Sequence, residues 1–365
     1  MLIYIILYSI LLISSIFEFL SKRNQIKKTV VIAFVLIFTL FRGLRWRIGT
    51  DWQQYYEIFN YSTWNNIFTY DRGVGYGGIM EFGYMFLNIV TKSIIDDYSF
   101  FLLVFNFIIL YLYYKFSFKN SPYPILTFIT IIFCSNFFPV RQNLAIAIIL
   151  WGYTFIIQRK LLLWCIAVLL ASSVHTSAIV AFPIYWIGKI RLNILYITAI
   201  YFSVSIISHY IVDIFNFVIN YVPSFMSATL LRITVYSEYV REDEFGLARN
   251  IISSLFNYIL LIIFHFLFAY KKHNATSYNA YINLFLLYCV ISNLFASSMT
   301  EFGRIANYFI YAYSFLLAQL WGKYGKDGIK GKIIYIIFIA YMYYKFINTL
   351  SYYPELMFPY RSIFN

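Results

Sequence analysis

The stretch LRWRIGTDWQQYY, residues 44–56, gathers the residue types that could act on a charged, sugar-bearing substrate. It holds Arg45, Arg47, Asp51, Trp52, Tyr55 and Tyr56, with Arg42 just upstream. Guanidinium forks match phosphate oxygens bidentately, which a lysine cannot do. Aromatic rings can stack on the apolar face of a sugar while an adjacent carboxylate bonds its hydroxyls, and Asp51 followed by Trp52, Tyr55 and Tyr56 has that pattern. Two further arginines open apolar runs. In FFPVRQNLA, residues 137–145, Pro139 suits a first helical turn, which puts Arg141 and Gln142 at a helix start. TEFGRIAN, residues 300–307, does the same for Arg304. A helix N-terminus carries about half a positive charge, so it repels a cation and attracts an anion. Each arginine could snorkel to a membrane interface or pair with an acid such as Glu301. Alternatively, Arg141, Gln142 and Arg304 join Arg42, Arg45 and Arg47 in a phosphate or pyrophosphate site; the number of arginines favours this.

SSVHTSA, residues 172–178, places His175 in a turn between two apolar runs. It either caps the turn beside Ser173 and Thr176 or works as a general acid or base, since imidazole titrates near neutrality. For proton abstraction the order is Asp51, then His175, with Glu81 and Glu301 behind. His209, His265 and His273 are expected to be structural, and Asp96 and Asp97 to cap the helix that follows. Glu238, Glu242, Asp243 and Glu244 alternate with Arg241 as a solvated loop face. Cys134, Cys165 and Cys289 sit in apolar runs as small core residues, with no metal-ligand spacing. The motifs of ATP hydrolysis, zinc proteolysis and serine hydrolysis are missing, and RGVGYGG, residues 72–78, reads as a flexible loop. The sequons at Asn60 and Asn274 are short enough to be chance. No metal or cofactor is expected.

The elements that must position these groups are membrane helices. The chain has 365 residues, 62% hydrophobic and only 12% charged, where soluble domains have about 25% charged residues. Apolar runs long enough for a hydrocarbon core recur at about 2–20, 29–41, 98–116, 123–138, 140–158, 161–174, 176–188, 192–212, 251–270, 278–297, 304–321 and 332–350, giving twelve spans in a single membrane domain, 1–365. The first run, with no basic segment before it, reads as a retained span and not a signal peptide. The segment 81–95 would be only about 22 Å long. Its apolar residues Phe82, Met85, Phe86, Ile89 and Val90 form a stripe opposite Asn88 and Lys92, so it is expected to lie flat at the interface. Lys22, Arg23, Lys28, Lys115, Lys119, Arg159, Lys160, Lys271 and Lys330 then share one side, the cytoplasm, and loops 42–97 and 213–250 face outward. The net charge of +13 is thus an orientation signal, and scattered clusters argue against nucleic acid as a partner.

Taken in order, FRGLRWRIGTDWQQYY, EFGYMFLNIV, FFPVRQNLAIAI, SSVHTSAIV and TEFGRIANYF resemble the EpsG-like branch of the Wzy-type bacterial polysaccharide polymerases, over residues 41–310. The resemblance implies a multi-pass inner-membrane glycosyltransferase of O-antigen or exopolysaccharide synthesis, similar to the C-type lipid-linked glycosyltransferase fold. Its donor and acceptor would be oligosaccharides on undecaprenyl pyrophosphate, joined at the outer leaflet, with membrane lipid as its surroundings and a chain-length regulator as a candidate partner. Arg45 and Arg47 would then meet the pyrophosphate and Asp51 the acceptor sugar. A flippase for the same lipid, or a monomeric lipid-dependent glycosyltransferase, are the alternatives; few charges within the spans disfavour the flippase.

Overall fold

The computed structural model describes every residue except 50, 72–78, 139–140, 220–243, 269–274, 296–299, 326–327, 352–353 and 365, and gives only backbone at 215–216, 218–219, 244–250, 275–277 and 300–301. Pro139, the RGVGYGG loop, Arg241 with its acidic neighbours up to Asp243, His273, Asn274 and the side chains of Glu244 and Glu301 therefore lie outside the described set. Among the described residues every element is helical, and strand-like pairing is confined to two isolated bridges, Arg45 with Ser362 and Asp71 with Ile79.

Two compact units divide the chain, residues 1–182 with 317–365 and residues 183–316. The first contains α1 (Leu2–Ile13), α2 (Phe17–Leu20), α3 (Asn24–Gly43), α4 (Trp52–Tyr61), α5 (Phe82–Ile94), α6 (Tyr98–Asn120), α7 (Pro124–Cys134), α8 (Arg141–Ile157) and α9 (Leu161–Val174). The second contains α10 (Ile184–Ile187), α11 (Ile194–Ile207), α12 (Ile211–Ile219), α13 (Glu244–Phe268), α14 (Ala275–Leu294) and α15 (Thr300–Gly303). Helix α16 (Ile310–Tyr324) runs from the second into the first, which also holds α17 (Gly328–Leu350) and α18 (Pro354–Met357).

In the first unit α7 is apolar on all sides and buried on all sides, with Ile125, Leu126, Phe128, Ile129, Ile131 and Ile132 shielded from the surroundings. Pro124 starts it at the position where a missing N–H is harmless. The carboxylate of Glu18 completes that start: Oε2 accepts from the backbone N–H of Ile125 at 2.7 Å and of Leu126 at 3.3 Å, while Oε1 pairs with Lys27. A negative charge there meets the positive end of the helix, which is why a buried glutamate in an apolar run is tolerated. Helices α3 and α6 pack side by side, and Gly43 allows it: a Cβ there would lie 2.9 Å from the Cα of Leu103. In the second unit Tyr281 stacks on Phe315 with ring centroids 3.9 Å apart, and Phe264 meets Phe285 at 5.7 Å.

The surface inverts the soluble pattern. Helix α1 turns Tyr4, Tyr8, Leu11 and Leu12 inward and Ile6, Ile10 and Ile13 outward, and α9 exposes Leu162, Ile166, Leu169 and Leu170. Apolar faces this extensive belong against lipid. By length and composition Leu2–Leu20, Tyr98–Asn120, Ile194–Ile214, Ile251–Phe268 and Gly328–Leu350 can each cross a membrane, and Pro124–Cys134, Arg141–Ile157, Leu161–Val174 and Thr176–Ile187 are shorter apolar helices. The chain is an α-helical, multi-pass membrane protein. Asp97 caps α6 as expected, its side chain accepting from the Phe100 N–H at 2.9 Å. The cysteines form no disulfide.

Helix α5 forms within residues 81–95, and its apolar stripe is divided between a buried side and an exposed one. Asn88 is fully buried together with Tyr84, Met85 and Ile89, whereas Phe82 and Phe86 are exposed. The Nδ2 of Asn88 donates to the Tyr84 carbonyl one turn back at 2.8 Å. Outside, Phe82 stacks on Phe68 at 5.1 Å and Phe86 meets Trp64 at 6.1 Å. The outward face is thus an aromatic cluster, the composition favoured at a membrane–water interface.

Candidate functional site

The loop after α3 is held by the C-terminal tail. Trp46 N–H donates to the Arg361 carbonyl at 3.0 Å, Gly49 N–H to Leu356 at 3.0 Å and Ile363 N–H to Leu44 at 3.0 Å. Tyr360 Oη donates to the Phe41 carbonyl and Tyr4 Oη to Met357, each at 2.7 Å. Within this clamp the backbone turns sharply: Arg47, Gly49 and Asp51 have φ of 51°, 97° and 59°, a region that only glycine enters without strain. The turn throws Arg47 and Asp51 outward, where with Gln54, Glu57, Tyr70 and Leu356 they line an open cleft of about 880 Å³.

Arg42 and Arg45 point the other way. Arg42 is fully buried, donates from Nη2 to Ser135 Oγ at 3.1 Å and lies 5.6 Å from the Phe38 ring centroid. Arg45 is also buried; its Nη1 donates to the Arg42 carbonyl at 2.8 Å and its guanidinium sits 5.0 Å from the Phe138 ring. It caps the end of α3, where a cation suits the negative pole. Burial pulls the Arg45 guanidinium down to about 10, still protonated at neutral pH. Neither arginine forms an ion pair among the described residues.

The acid–base groups converge elsewhere in the first unit. Glu81, the residue before α5, gives Oε2 to the guanidinium of Arg141 at the start of α8. Its Oε1 faces His175 Nδ1 at 3.3 Å and accepts from Thr176, at 3.3 Å from the backbone N–H and 3.2 Å from Oγ1. Arg141 also donates from Nε to Tyr55 Oη at 3.2 Å and from Nη1 towards Met80 Sδ at 3.2 Å. Arg141, His175 and Thr176 thus meet at the one carboxylate, and Tyr55 joins them through Arg141. Burial alone raises the Glu81 carboxyl, but the hydrogen bond with His175 and the charge of Arg141 outweigh it and hold it at about 2. Burial likewise raises the Tyr55 phenol, against the opposing pull of Arg141. Glu81 is thus a fixed anion at neutral pH. It orients the imidazole, and a proton on Nδ1 directed at Glu81 leaves the Nε2 lone pair to accept another.

Gly83 makes the meeting possible. A Cβ there would lie 2.3 Å from Ser173 Oγ and 2.9 Å from the Ser173 carbonyl carbon and oxygen, so α5 reaches the end of α9 only because position 83 has no side chain. Replacing Gly83 with alanine is expected to destabilise the protein by about 1–3 kcal/mol, as overpacking does, and to separate Glu81 from His175. Melting of the detergent-solubilised protein measures the loss. Removing the Ser173 hydroxyl in the same chain should restore little of it, because the clash also involves backbone.

Trp52 lines the same cleft with its ring largely buried, stacked on Tyr56 at 5.1 Å and with Trp46 edge-on at 4.9 Å. Tyr55 and Tyr56 are half-buried on α4, and Gln142 is half-buried in the first turn of α8. Arg304 is exposed at the start of a 3-10 turn, Arg304–Tyr308, in the second unit. What sequence reasoning missed is that the acid completing Arg141 is Glu81 and that Tyr55 and Thr176 join them. The available signal was a carboxylate two residues before a glycine at the start of an amphipathic helix.

The first unit of this integral membrane protein thus carries a largely buried arginine–glutamate–histidine cluster joined through Tyr55 to α4, whose first turn lines an open cleft. The EpsG family model matches residues 28–362, nearly the whole chain, and the protein belongs to the EpsG family. Neither the curated proteins nor the solved structures contain a match. Family membership suggests a polysaccharide-polymerase role.

Proposed function

We propose that the protein joins oligosaccharide repeat units carried on undecaprenyl pyrophosphate, at the outer leaflet of a bacterial inner membrane. The observation behind this is the Glu81 carboxylate shared by Arg141 and His175, with Arg141 bonded to Tyr55 on α4, the helix whose first turn lines the cleft that holds Asp51 and Arg47. A hydroxyl of the incoming repeat unit attacks the anomeric carbon of the growing chain. The new C–O bond forms as the bond to the pyrophosphate oxygen breaks, and undecaprenyl pyrophosphate leaves with its negative charge. His175, oriented by Glu81, takes the hydroxyl proton at Nε2. Arg47 on the cleft wall and Arg141 stabilise the leaving pyrophosphate, while Asp51 and Gln54 bind sugar hydroxyls. Arg42 and Arg45 act from behind, holding the end of α3 and so the loop. Under this proposal the chain crosses the membrane twelve times, 42–97 and 213–250 lie outside, and α5 rests in the interface on its aromatic face.

Deleting the gene and following the surface polysaccharide tests the reaction. Loss of long chains with single capped repeat units still displayed is the expected outcome. Loss of all surface repeats, with lipid-linked units accumulating inside, would assign the protein to translocation instead.

A further inference from the structure

At the opposite, lysine-rich end of the first unit, α3, α6 and α8 enclose a cleft of about 610 Å³ whose walls include Asn24, Lys28, Tyr111, Lys115, Lys119 and Trp151 and no acidic side chain. Lys28, Lys115 and Lys119 are exposed, and none of them forms an ion pair among the described residues. Lys115 Nζ lies 5.2 Å from the Tyr111 ring centroid, so its ammonium is steered along the aromatic wall. Three uncompensated ammonium groups around one cleft call for an anion of more than one charge-bearing oxygen.

What leads away from the cleft is apolar. On α3, Ile32 and Leu36 follow Lys28 at four-residue intervals and are both exposed. On α6, Phe107 and Tyr111 precede Lys115 and Lys119 at the same interval, and both are exposed. Residues four apart lie one above the other on a helix, about 6 Å further along its axis. Each helix therefore bears one stripe with a basic end and an apolar continuation, and the two stripes start from the same cleft. A free phosphate has no use for them; a phospholipid does. We propose that this cleft binds the phosphate headgroup of an anionic phospholipid whose acyl chains lie along the two stripes. The site stands on the protein's being a membrane protein and is independent of the polymerase reading.

The test is native mass spectrometry of the full-length protein in mild detergent, titrated with palmitoyl-oleoyl phosphatidylglycerol, with phosphatidylcholine of the same chains, and with phosphatidylglycerol in competition with inorganic phosphate. Phosphatidylglycerol should bind in preference to phosphatidylcholine, and equimolar inorganic phosphate should not displace it. A basic side chain near a lipid surface is worth about fivefold in binding, so Lys28→Gln, Lys115→Gln and Lys119→Gln together should weaken phosphatidylglycerol by the order of a hundredfold. The corresponding triple arginine variant should retain binding. Lys119→Gln alone, at an exposed position, should cost about fivefold, which keeps the proposal open to refutation if the triple variant does not fold. Equal affinity for the two lipids, displacement by inorganic phosphate, or unchanged affinity in Lys119→Gln would each overturn it.

Discussion

Cells carrying His175→Gln should display single repeat units but little long polymer, with polymerisation reduced by about 10²–10⁴, the range that a positioned acid or base contributes. Glutamine keeps a hydrogen-bond donor for Glu81 but cannot accept a proton at neutral pH, so membrane abundance should persist while the chemical step fails. The expectation rests on position: His175 ends α9 with Nδ1 facing a carboxylate that Arg141 and Thr176 hold in place. Asp51→Asn provides the contrast. Asp51 is exposed on the cleft wall, and losing its charge should weaken substrate binding and shorten chains without abolishing polymer. The length profile of surface polysaccharide from the two strains is the measurement. Long polymer from His175→Gln with none from Asp51→Asn would move the base to Asp51.

The second large effect concerns Arg141, and it is one of stability as much as activity. Arg141→Met should destabilise the protein by roughly 3–5 kcal/mol, because removing one partner of a buried pair leaves an uncompensated charge. Glu81 and Arg141 are each about nine-tenths buried, so solvent screening relieves little of this. Arg141→Met combined with Glu81→Gln should recover a substantial part, since the stranded charge is then gone. Arg141→Lys should keep much of the stability yet lose polymer, because one ammonium cannot reach Glu81 and Tyr55 with the geometry of a fork. The dependence on pH has a definite sign. The Glu81 carboxyl is depressed from 4.5 to about 2 in the folded protein. Its stabilising contribution is thus fully present above about pH 4.5 and is lost as pH falls through about 2. The melting difference between wild type and Glu81→Gln should therefore be constant from pH 5 upward and shrink as the pH is lowered below that.

Much of the architecture was legible from residue order. The apolar runs mark the helices because hydrocarbon demands internally bonded backbone, and that requirement is local. Asp97 capping α6 and Arg141 opening α8 followed from residue type next to an apolar run. The ordered motifs from residue 41 onward pointed to the family that the match over 28–362 establishes. The buried face of α5 was not legible: hydropathy set Asn88 opposite the apolar stripe, whereas the structure buries Asn88 beside Met85 and Ile89, its Nδ2 bonded within its own helix, and leaves Phe82 and Phe86 exposed. Nor was Glu18 foreseen as the cap of α7, since the N–H groups it serves are more than a hundred residues away.

The candidate site divides along the same line. Composition and spacing determined that arginines, a histidine and carboxylates gather near helix ends, because charges in a membrane protein can be placed at low cost only there or in pairs. Which of them meet was decided by tertiary structure. Glu81 finds Arg141 across 60 residues and His175 across 94, through the contact that Gly83 permits against Ser173. Arg42 and Arg45, equivalent to Arg47 in sequence, are turned into the protein by the end of α3 and the tail that pairs with their loop, while Arg47 is turned out. Helical periodicity is set within a few residues. The choice of partner depends on close packing between distant segments, which that periodicity does not encode.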